Sequence, residues 1–302
     1  MITMKEIECP VCGKPLNAPS LRCKDHSVSG EMFDIYRCPD CGFAVTVPQP
    51  SPSEIGKYYR TIDYVSHSET RKGIVNKLYH LVRKRTAGEK LKLINRLSSH
   101  RGDLLDVGCG TGYFLSVCKG DGWRVEGVEV DDGARSRAEA RSRQPVYAST
   151  DDLAASGKQF DVVTLWHVFE HLHDIHSSFV QLKRLLKPGG WLILAMPNFT
   201  SGDAAYYGEC WAAYDVPRHL SHFSPAAIRL LAGRYGMKTA GMVPMKFDAY
   251  YVSMLSEGWR GRGKTGALLH GLIQGYRSNR KGRKMPERYS SLIYLLCPEK
   301  EP

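Results

Sequence analysis

A short run starting at Asp106 carries the clearest chemical signal in the sequence. It reads Asp-Val-Gly-Cys-Gly-Thr-Gly and continues an apolar segment, Leu104–Val107, that predicts a buried strand. Glycines at alternate positions let the backbone turn sharply and approach a ligand where any Cβ atom would collide. Helix-competent sequence follows from Tyr113. The order of strand, glycine loop and helix predicts a nucleotide-type site in a doubly wound α/β fold.

The spacing of the glycines narrows the kind of site. The loop is Gly-x-Gly-x-Gly, not the Gly-x-Gly-x-x-Gly of dinucleotide-binding loops, and it lacks the Gly-Lys-Ser/Thr of a phosphate loop. A second strand is predicted over 124–130. Glu129 follows about twenty residues after the glycines, where a carboxylate can accept both hydroxyls of a ribose. The two features together predict a nucleoside site.

Further apolar segments extend the predicted sheet. Phe160–Trp166 predicts a buried strand, followed by a helix closed at Lys187–Gly190 and by another strand over 191–198. Two last strands are predicted near 238–245 and 290–296. They are separated by two helical segments.

The pattern at 106–112 resembles motif I of the class I S-adenosylmethionine-dependent methyltransferases, and the tract LLKPGGWLIL at 185–194 is typical of them. The resemblance implies an α/β fold with a Rossmann-like seven-stranded methyltransferase sheet and helices on both faces. It also implies S-adenosylmethionine as cofactor. The implied cofactor-binding residues are Asp106, Gly108, Cys109, Gly110, Thr111, Gly112, Phe114, Glu129, Val130, Asp152, Trp166 and His167.

Two pairs of cysteines near the start predict a metal site. Cys9 and Cys12 form one Cys-x-x-Cys pair, and Cys38 and Cys41 form the other. Each pair can present two thiolates on a tight turn, and four thiolates make a closed tetrahedral site for a structural zinc ion. A rival ligand set replaces the second pair with Cys23 and His26. The Pro and Gly residues around the two pairs favour the four cysteines.

Histidines cluster in two stretches, 166–174 and 211–223. The first contains His-x-x-Glu-His, which formally matches an inverted zinc-protease motif, but that motif belongs inside a helix and here follows a strand. If an acceptor hydroxyl must lose a proton, imidazole is the side chain tuned near neutral pH. We expect His219 to be the base, with His167 second and Asp215 as an orienting carboxylate. His171 is expected to make a structural hydrogen bond.

Stretches over almost the whole chain resemble one bacterial group of class I methyltransferases, which has an N-terminal zinc-ribbon-like segment and is related to the ubiquinone-biosynthesis O-methyltransferases. The stretches are the cysteine pairs, FDIYRCPDCG, the glycine loop, WHVFEHLHD and DVPRHLSHFS. The predicted organisation is a zinc-ribbon-like module at 1–48, a linker and helical lead-in or lid at 49–100, and the methyltransferase domain at 101–302. That domain contains a helical basic insertion at about 249–288. Tyr58, Tyr59 and Tyr64 are expected either to close over the site or to pack in a core.

The net charge of the 302 residues is +11, and it is unevenly spread. Residues 71–92 hold eight Lys or Arg against one acid, and residues 258–288 hold nine against one. Such segments are solvated helix faces or a surface for an anionic partner. No secretory signal or membrane-spanning run is evident, and the nine scattered cysteines favour a reduced, cytoplasmic protein.

The sequence therefore predicts methyl transfer to a small or lipid-linked, anionic acceptor, with O-methylation favoured and an anionic membrane surface as a further partner. An RNA methyltransferase is the first alternative, although Thr-Leu-Trp-His stands where base-methylating enzymes carry Asn-Pro-Pro-Tyr/Phe. A non-catalytic scaffold that only binds the cofactor is the second alternative. The intact glycine loop and Glu129 argue against it.

Overall fold

A computed structural model describes residues 7–59 and 74–299, with side chains from residue 82 onward in the second range. Tyr64 lies outside the described residues. The strands are β1 Ile7–Glu8, β2 Pro15–Leu16, β3 Pro19–Lys24, β4 Met32–Arg37, β5 Ala44–Val47, β6 Asp103–Val107, β7 Arg124–Val128, β8 Val146–Tyr147, β9 Phe160–Trp166, β10 Leu186–Pro197, β11 Ser221–His222, β12 Met237–Pro244 and β13 Ser291–Pro298. The α-helices are α1 Ile74–Leu97, α2 Tyr113–Gly120, α3 Asp132–Ser142, α4 Thr150–Ala154, α5 Ile175–Arg184, α6 Gly202–Tyr207, α7 Pro225–Arg234, α8 Asp248–Trp259 and α9 Lys264–Lys284.

The main sheet has seven strands in the order β12-β13-β10-β9-β6-β7-β8. Strand β6 pairs in parallel with β7 on one side and β9 on the other, and β7 pairs in parallel with β8. Strands β6 and β9 are almost entirely buried, which explains their continuous apolar sequence. The predicted seven-stranded Rossmann-like sheet is confirmed. The glycine loop follows the carboxyl end of the interior strand β6, where open α/β sheets bind ligands.

The predicted end of the helix before β10 is wrong. Helix α5 ends at Arg184, and Lys187–Gly190 belongs to β10. Pro188 cannot continue a helix, and the absence of a side chain at Gly190 lets β10 approach β9 closely. A Cβ atom on Gly190 would lie 3.1 Å from the carbonyl oxygen of Phe160.

A second sheet of four strands, in the order β11-β5-β4-β3, contains most of the cysteine-rich segment. Its edge strand β11 comes from residues 221–222 and pairs antiparallel with β5. Sequence reasoning missed this strand, because two residues carry no periodic signal. The sheet ties the 211–223 stretch to the N-terminal segment.

The chain divides into two compact units. One contains the described residues up to 59 together with 167–173 and 195–295. The other contains the described residues of 74–166 together with 174–194 and 296–299. The boundaries predicted at 48 and 100 stay a prediction.

Helices α8 and α9 fall where helical segments were predicted, between β12 and β13. Tyr58 packs in the core of the first unit, with its ring edge against Phe33 and its hydroxyl donating to Glu31. Within the described ranges, no helix is both long and apolar enough to cross a bilayer.

Candidate functional site

The glycine loop after β6 needs a backbone conformation that only glycine adopts easily. Gly108, Gly110 and Gly112 have φ angles of 71°, 56° and 71°. A Cβ atom on Gly112 would lie 2.7 Å from the Cα atom of Ala138 on α3, so this glycine lets α3 pack against the loop. A Cβ atom on Gly110 would meet nothing within 4 Å. The loop is therefore packed against α3 at Gly112 and has open space at Gly110, where a ligand can approach the backbone.

Glu129 lies directly beside the open part of the loop. Its Oε2 accepts the backbone N–H of Gly110 at 2.8 Å, and its Oε1 accepts the backbone N–H of Asp131 at 3.0 Å. A carboxylate offers about four lone-pair positions, so two remain for further donors. Glu129 is thus held at a fixed distance from the loop and can accept ribose hydroxyls. Val130, the next residue, is exposed.

Asp106 lies near the end of β6, just before the glycine loop. Its side chain is buried in the sheet, and the hydroxyl of Thr164 on β9 donates to its Oδ1 at 2.6 Å. Burial raises the pKa of Asp106 to about 7, against the opposing effect of this hydrogen bond. These contacts make it a positioning residue for the glycine loop.

Thr111 is also held from the side. Its Oγ1 accepts donors from Arg83 on α1 at 3.3 Å and from Arg141 on α3 at 2.9 Å. The two guanidinium groups tie the loop to both helices. Cys109 is buried beside Gly127, where a Cβ atom would lie 2.8 Å from the Cys109 sulfur.

Two aromatic rings at the ends of secondary-structure elements could line a nucleoside pocket. Phe114 and Trp166 pack edge to face with ring centroids 5.5 Å apart, and the ammonium of Lys90 lies 4.2 Å from the Trp166 ring centre. The indole N–H of Trp166 is buried without a hydrogen-bond partner among the described residues. Asp152 is exposed and its carboxylate accepts the hydroxyl of Ser149, which caps α4.

His167 lies in the other unit, held between two carboxylates. Its Nδ1 is 3.3 Å from Glu170 Oε1, and its Nε2 is 3.1 Å from Asp248 Oδ2. Both ring nitrogens can donate only when the imidazole is protonated. Burial disfavours the charge, but the two carboxylates outweigh it and raise the pKa of His167 to about 10. A protonated imidazole cannot accept a proton, so this geometry does not fit the predicted role of His167 as a base.

Glu170, His171 and His219 form the second cluster of this unit. Nδ1 of His171 donates to the carbonyl of Arg218, and Nδ1 of His219 donates to the carbonyl of Ala213, both at 2.9 Å. Each neutral ring therefore carries a lone pair on Nε2. The predicted structural hydrogen bond of His171 is present, and the hydroxyl of Tyr59 lies 3.0 Å from the same nitrogen.

The same cluster contains an unsatisfied acceptor. Glu170 Oε2 is buried and has no hydrogen-bond partner in the part of the chain that the structure describes. One ligand atom each from Glu170, His171 and His219 lies within 4.8 Å of the others. Two imidazoles and a carboxylate can bind a divalent cation, and the same His219 nitrogen could accept a proton. These are the two chemistries that the cluster supports.

Asp215 does not orient His219. Both of its carboxylate oxygens bind Arg218, at 3.0 and 2.6 Å, and Arg218 also contacts Asp25 at 3.1 Å. Arg218 and Asp25 are fully buried, so this ion pair is a structural tie. The prediction that Asp215 orients a catalytic histidine is therefore wrong, because its carboxylate is engaged in the ion pair with Arg218. The sequence analysis assigned no role to Arg218, although it stands in the histidine-containing stretch 211–223.

The four cysteines of the two pairs come together. The sulfur atoms of Cys9 and Cys41 are 3.5 Å apart, and those of Cys12 and Cys38 are 3.3 Å apart. All four ligand atoms lie within 4.8 Å of one another, which fits a tetrahedral four-thiolate site. The rival set is not assembled, since Cys23 packs in the apolar core of its unit and His26 stacks on Trp259.

The strand order, the open glycine loop and the fixed carboxylate are features of the open α/β folds that bind nucleosides. The chain belongs to the methyltransferase domain family, whose profile matches residues 81–240, more than half of its length. This confirms the family that the glycine loop indicated.

Curated relatives in this family match part of the chain. A malonyl-[acyl-carrier protein] O-methyltransferase of Serratia marcescens is 29% identical over 144 residues, which cover 47% of this chain and 55% of that protein. A ubiquinone biosynthesis O-methyltransferase of Thiobacillus denitrificans is 28% identical over 158 residues, covering 48% of this chain and 68% of that protein. The chain thus spans about half of the length of the first relative and about two thirds of the length of the second.

A solved structure matches more of the chain. The crystal structure of a candidate sarcosine dimethylglycine methyltransferase from Galdieria sulphuraria covers 74% of this chain and 88% of its own, with a TM-score of 0.50 and 14% identity. At this identity the match shows the fold alone.

Proposed function

We propose that the protein transfers the methyl group of S-adenosylmethionine to an oxygen atom of a small or lipid-linked, anionic acceptor. The observation that carries the proposal is the fixed Glu129 carboxylate beside the open backbone at Gly110. The bound cofactor supplies a sulfonium methyl that is already electrophilic. The protein has mainly to hold cofactor and acceptor in line at near-attack distance.

The residues proposed to hold the cofactor fall into three roles. Gly108, Gly110 and Gly112 let the backbone approach it, and Glu129 accepts its ribose hydroxyls. Asp106 and Thr111 keep the loop in place through the contacts described above. The remaining proposed contacts are Cys109, Phe114, Val130, Asp152, Trp166 and His167.

The proposed proton acceptor is His219. Its Nδ1–H is fixed on the Ala213 carbonyl, which leaves Nε2 free to accept the proton of an acceptor hydroxyl. His171 is a poorer candidate, because burial and the neighbouring His219 lower its pKa to about 4. If Glu170, His171 and His219 instead hold a divalent cation, a chelator will abolish activity in a variant that lacks the four-cysteine site.

The acceptor class rests on the relatives and on charge. The two relatives are named as O-methyltransferases, one for a malonyl group on acyl-carrier protein and one in ubiquinone biosynthesis. Their names favour oxygen as the methylated atom and a carrier-linked or lipid-linked acceptor. The nine cations of residues 258–288 favour an acceptor that carries negative charge.

Product analysis with methyl-labelled S-adenosylmethionine tests this function. The protein is incubated separately with small-molecule, lipid and RNA fractions of a cell extract, with Glu129→Ala as the inactive control. We expect label in the small-molecule or lipid fraction. Label in RNA that Glu129→Ala abolishes would support the RNA alternative. Cofactor binding without label in any fraction would support the scaffold.

We also propose a structural zinc ion bound by Cys9, Cys12, Cys38 and Cys41. A closed shell of four thiolates leaves no coordination position for a substrate, so the ion would stabilise the N-terminal sheet. Metal binding by these cysteines in place of disulfide pairing would fit the reduced, cytoplasmic environment that the sequence predicts.

A further inference from the structure

Helices α8 and α9 form a tightly packed pair whose outer side is exposed. Cβ atoms on Gly271 and Gly275 would lie 2.6 and 2.7 Å from the Cα atoms of Met254 and Tyr250. The glycine side of α9 is therefore pressed against α8. The opposite side of α9 faces away from this contact, because residues half a turn away lie on the other face of a helix.

The exposed side of this pair is apolar over most of its length. On α9 it carries Leu268, Leu269, Leu272, Ile273 and Tyr276, which share one helical face. On the other helix of the pair, the exposed Tyr251 and Leu255 of α8 continue the four-residue spacing of Phe247, the residue before α8. Leu269 is 59% exposed and Tyr251 is 53% exposed. We call these eight side chains the apolar face; a patch of this kind marks an interaction surface.

The carboxyl-terminal part of α9 changes from apolar to cationic. Its last two turns carry five cations, and four of them line a cavity of about 390 Å³ that Gly202, Asp203 and Tyr206 of α6 also line. The five are Arg277, Arg280, Lys281, Arg283 and Lys284. Only one acid, Glu287, stands among the nine cations of residues 258–288. We call these five residues the cationic end.

The apolar face and the cationic end together indicate which kind of partner binds the exposed side of α8 and α9. A second copy of the chain docked through the same face would cover the apolar side chains, but its α9 contains no acid that could pair with the cationic end. An anionic bilayer can bind both the apolar face and the cationic end. Its acyl boundary accepts apolar side chains, and its phosphates attract Lys and Arg. A helix pair with an exposed apolar side and cationic side chains can lie in the plane of such a surface.

We propose that α8 and α9 dock on anionic lipid bilayers, with the apolar face inserted at the headgroup boundary and the cationic end on the phosphates. The docking surface uses none of the residues assigned to cofactor binding. It would hold the protein at the surface where a lipid-linked acceptor resides. The inference therefore goes beyond methyl transfer and can fail separately from it.

Co-sedimentation of the full chain with vesicles tests the proposal. One set contains phosphatidylcholine alone and the other contains equal parts of phosphatidylcholine and phosphatidylglycerol. We expect binding to the mixed vesicles only, weakening as salt is raised. The triple variant Leu269→Ser, Leu272→Ser, Ile273→Ser should bind the mixed vesicles about tenfold more weakly or worse. Leu230→Ser, exposed on α7, is the control that should bind as the wild type does.

A second triple variant tests the charge. Arg280→Glu, Arg283→Glu, Lys284→Glu should also lose about tenfold or more, whereas Lys92→Glu, Arg96→Glu on α1 should not. An unchanged circular dichroism spectrum and melting temperature show that the variants are folded. Equal binding to both vesicle types, or unchanged binding in both triple variants, overturns the proposal. A dimer in solution that the serine variant dissociates, in protein that does not bind vesicles, also overturns it.

Discussion

The Glu129 carboxylate and the Gly110 amide lie 2.8 Å apart, so one hydrogen bond joins the end of β7 to the loop after β6. This bond fixes the carboxylate beside Gly110, where an added Cβ atom would meet no protein atom within 4 Å. The relationship turns two separate motifs into one site. The glycines make room for a ligand, and the carboxylate supplies acceptors at its edge.

Gly110 and Gly112 should respond differently to the same substitution. Both have positive φ, so Ala costs about 1–2 kcal/mol at either position. Gly112→Ala also places a Cβ atom 2.7 Å from the Ala138 backbone and should lower the melting temperature more. Gly110→Ala should lose more cofactor affinity for a smaller loss of stability. Calorimetric melting and cofactor titration of both variants check this. Equal changes in melting temperature and in cofactor affinity for the two variants would contradict a ligand-binding role for the backbone at Gly110.

The charged state of His167 predicts a pH dependence of stability. Its pKa in the folded protein is about 10, above the ordinary value of 6.5. The stabilisation that its proton provides is therefore complete below about pH 6.5 and is lost as the pH rises toward 10. Asp248→Asn should lower this pKa and flatten the decline. NMR titration of the imidazole and urea unfolding between pH 6 and 10 measure both effects.

The control for that experiment is Glu209→Gln, which alters an exposed acid of the same unit. It should leave the His167 titration unchanged. A wild-type His167 that titrates near 6.5 would show that the two carboxylates do not hold the proton.

The buried Arg218–Asp25 ion pair should matter far more than a surface pair. Arg218→Met leaves the Asp25 carboxylate buried without its partner and should cost about 3–5 kcal/mol of unfolding free energy. Arg229→Met breaks the exposed pair with Glu287 and should cost about 1 kcal/mol or less. Chemical denaturation of both variants gives the comparison. Equal losses would contradict a structural role for the buried pair.

The four-cysteine cluster predicts about one zinc ion per chain. Cys38→Ser should lose the metal and destabilise the N-terminal sheet, while S-adenosylmethionine binding stays nearly unchanged. Cys210→Ser, a half-buried cysteine outside the cluster, is the control and should retain zinc. Metal analysis by mass spectrometry measures both. Full zinc content in Cys38→Ser would assign the ion to other ligands.

The features that could be predicted from the sequence are those that short local patterns encode. The glycine loop, Glu129 and the cysteine pairs are short patterns whose residues act where they stand in the chain. The strands of the main sheet followed from continuous apolar runs, because buried parallel strands need them. The expectation that they form one seven-stranded sheet came from the family resemblance.

Contacts between distant segments could not be read in this way. Asp248 reaches His167 across 81 positions, and Asp25 reaches Arg218 across 193. Each partner has an ordinary local sequence, and only tertiary packing decides which charge it meets. The same holds for β11, where two residues complete a sheet begun by the N-terminal segment.

Calorimetric titration with S-adenosylmethionine tests the central claim most directly. The wild-type protein should bind it and its demethylated product. Glu129→Ala should weaken both by about 1–3 kcal/mol, roughly 5- to 150-fold in Kd, because a buried site loses its charged acceptor. Glu139→Ala, an exposed acid on α3, should bind as the wild type does. No binding by the wild type, or equal affinity in Glu129→Ala, would contradict the account.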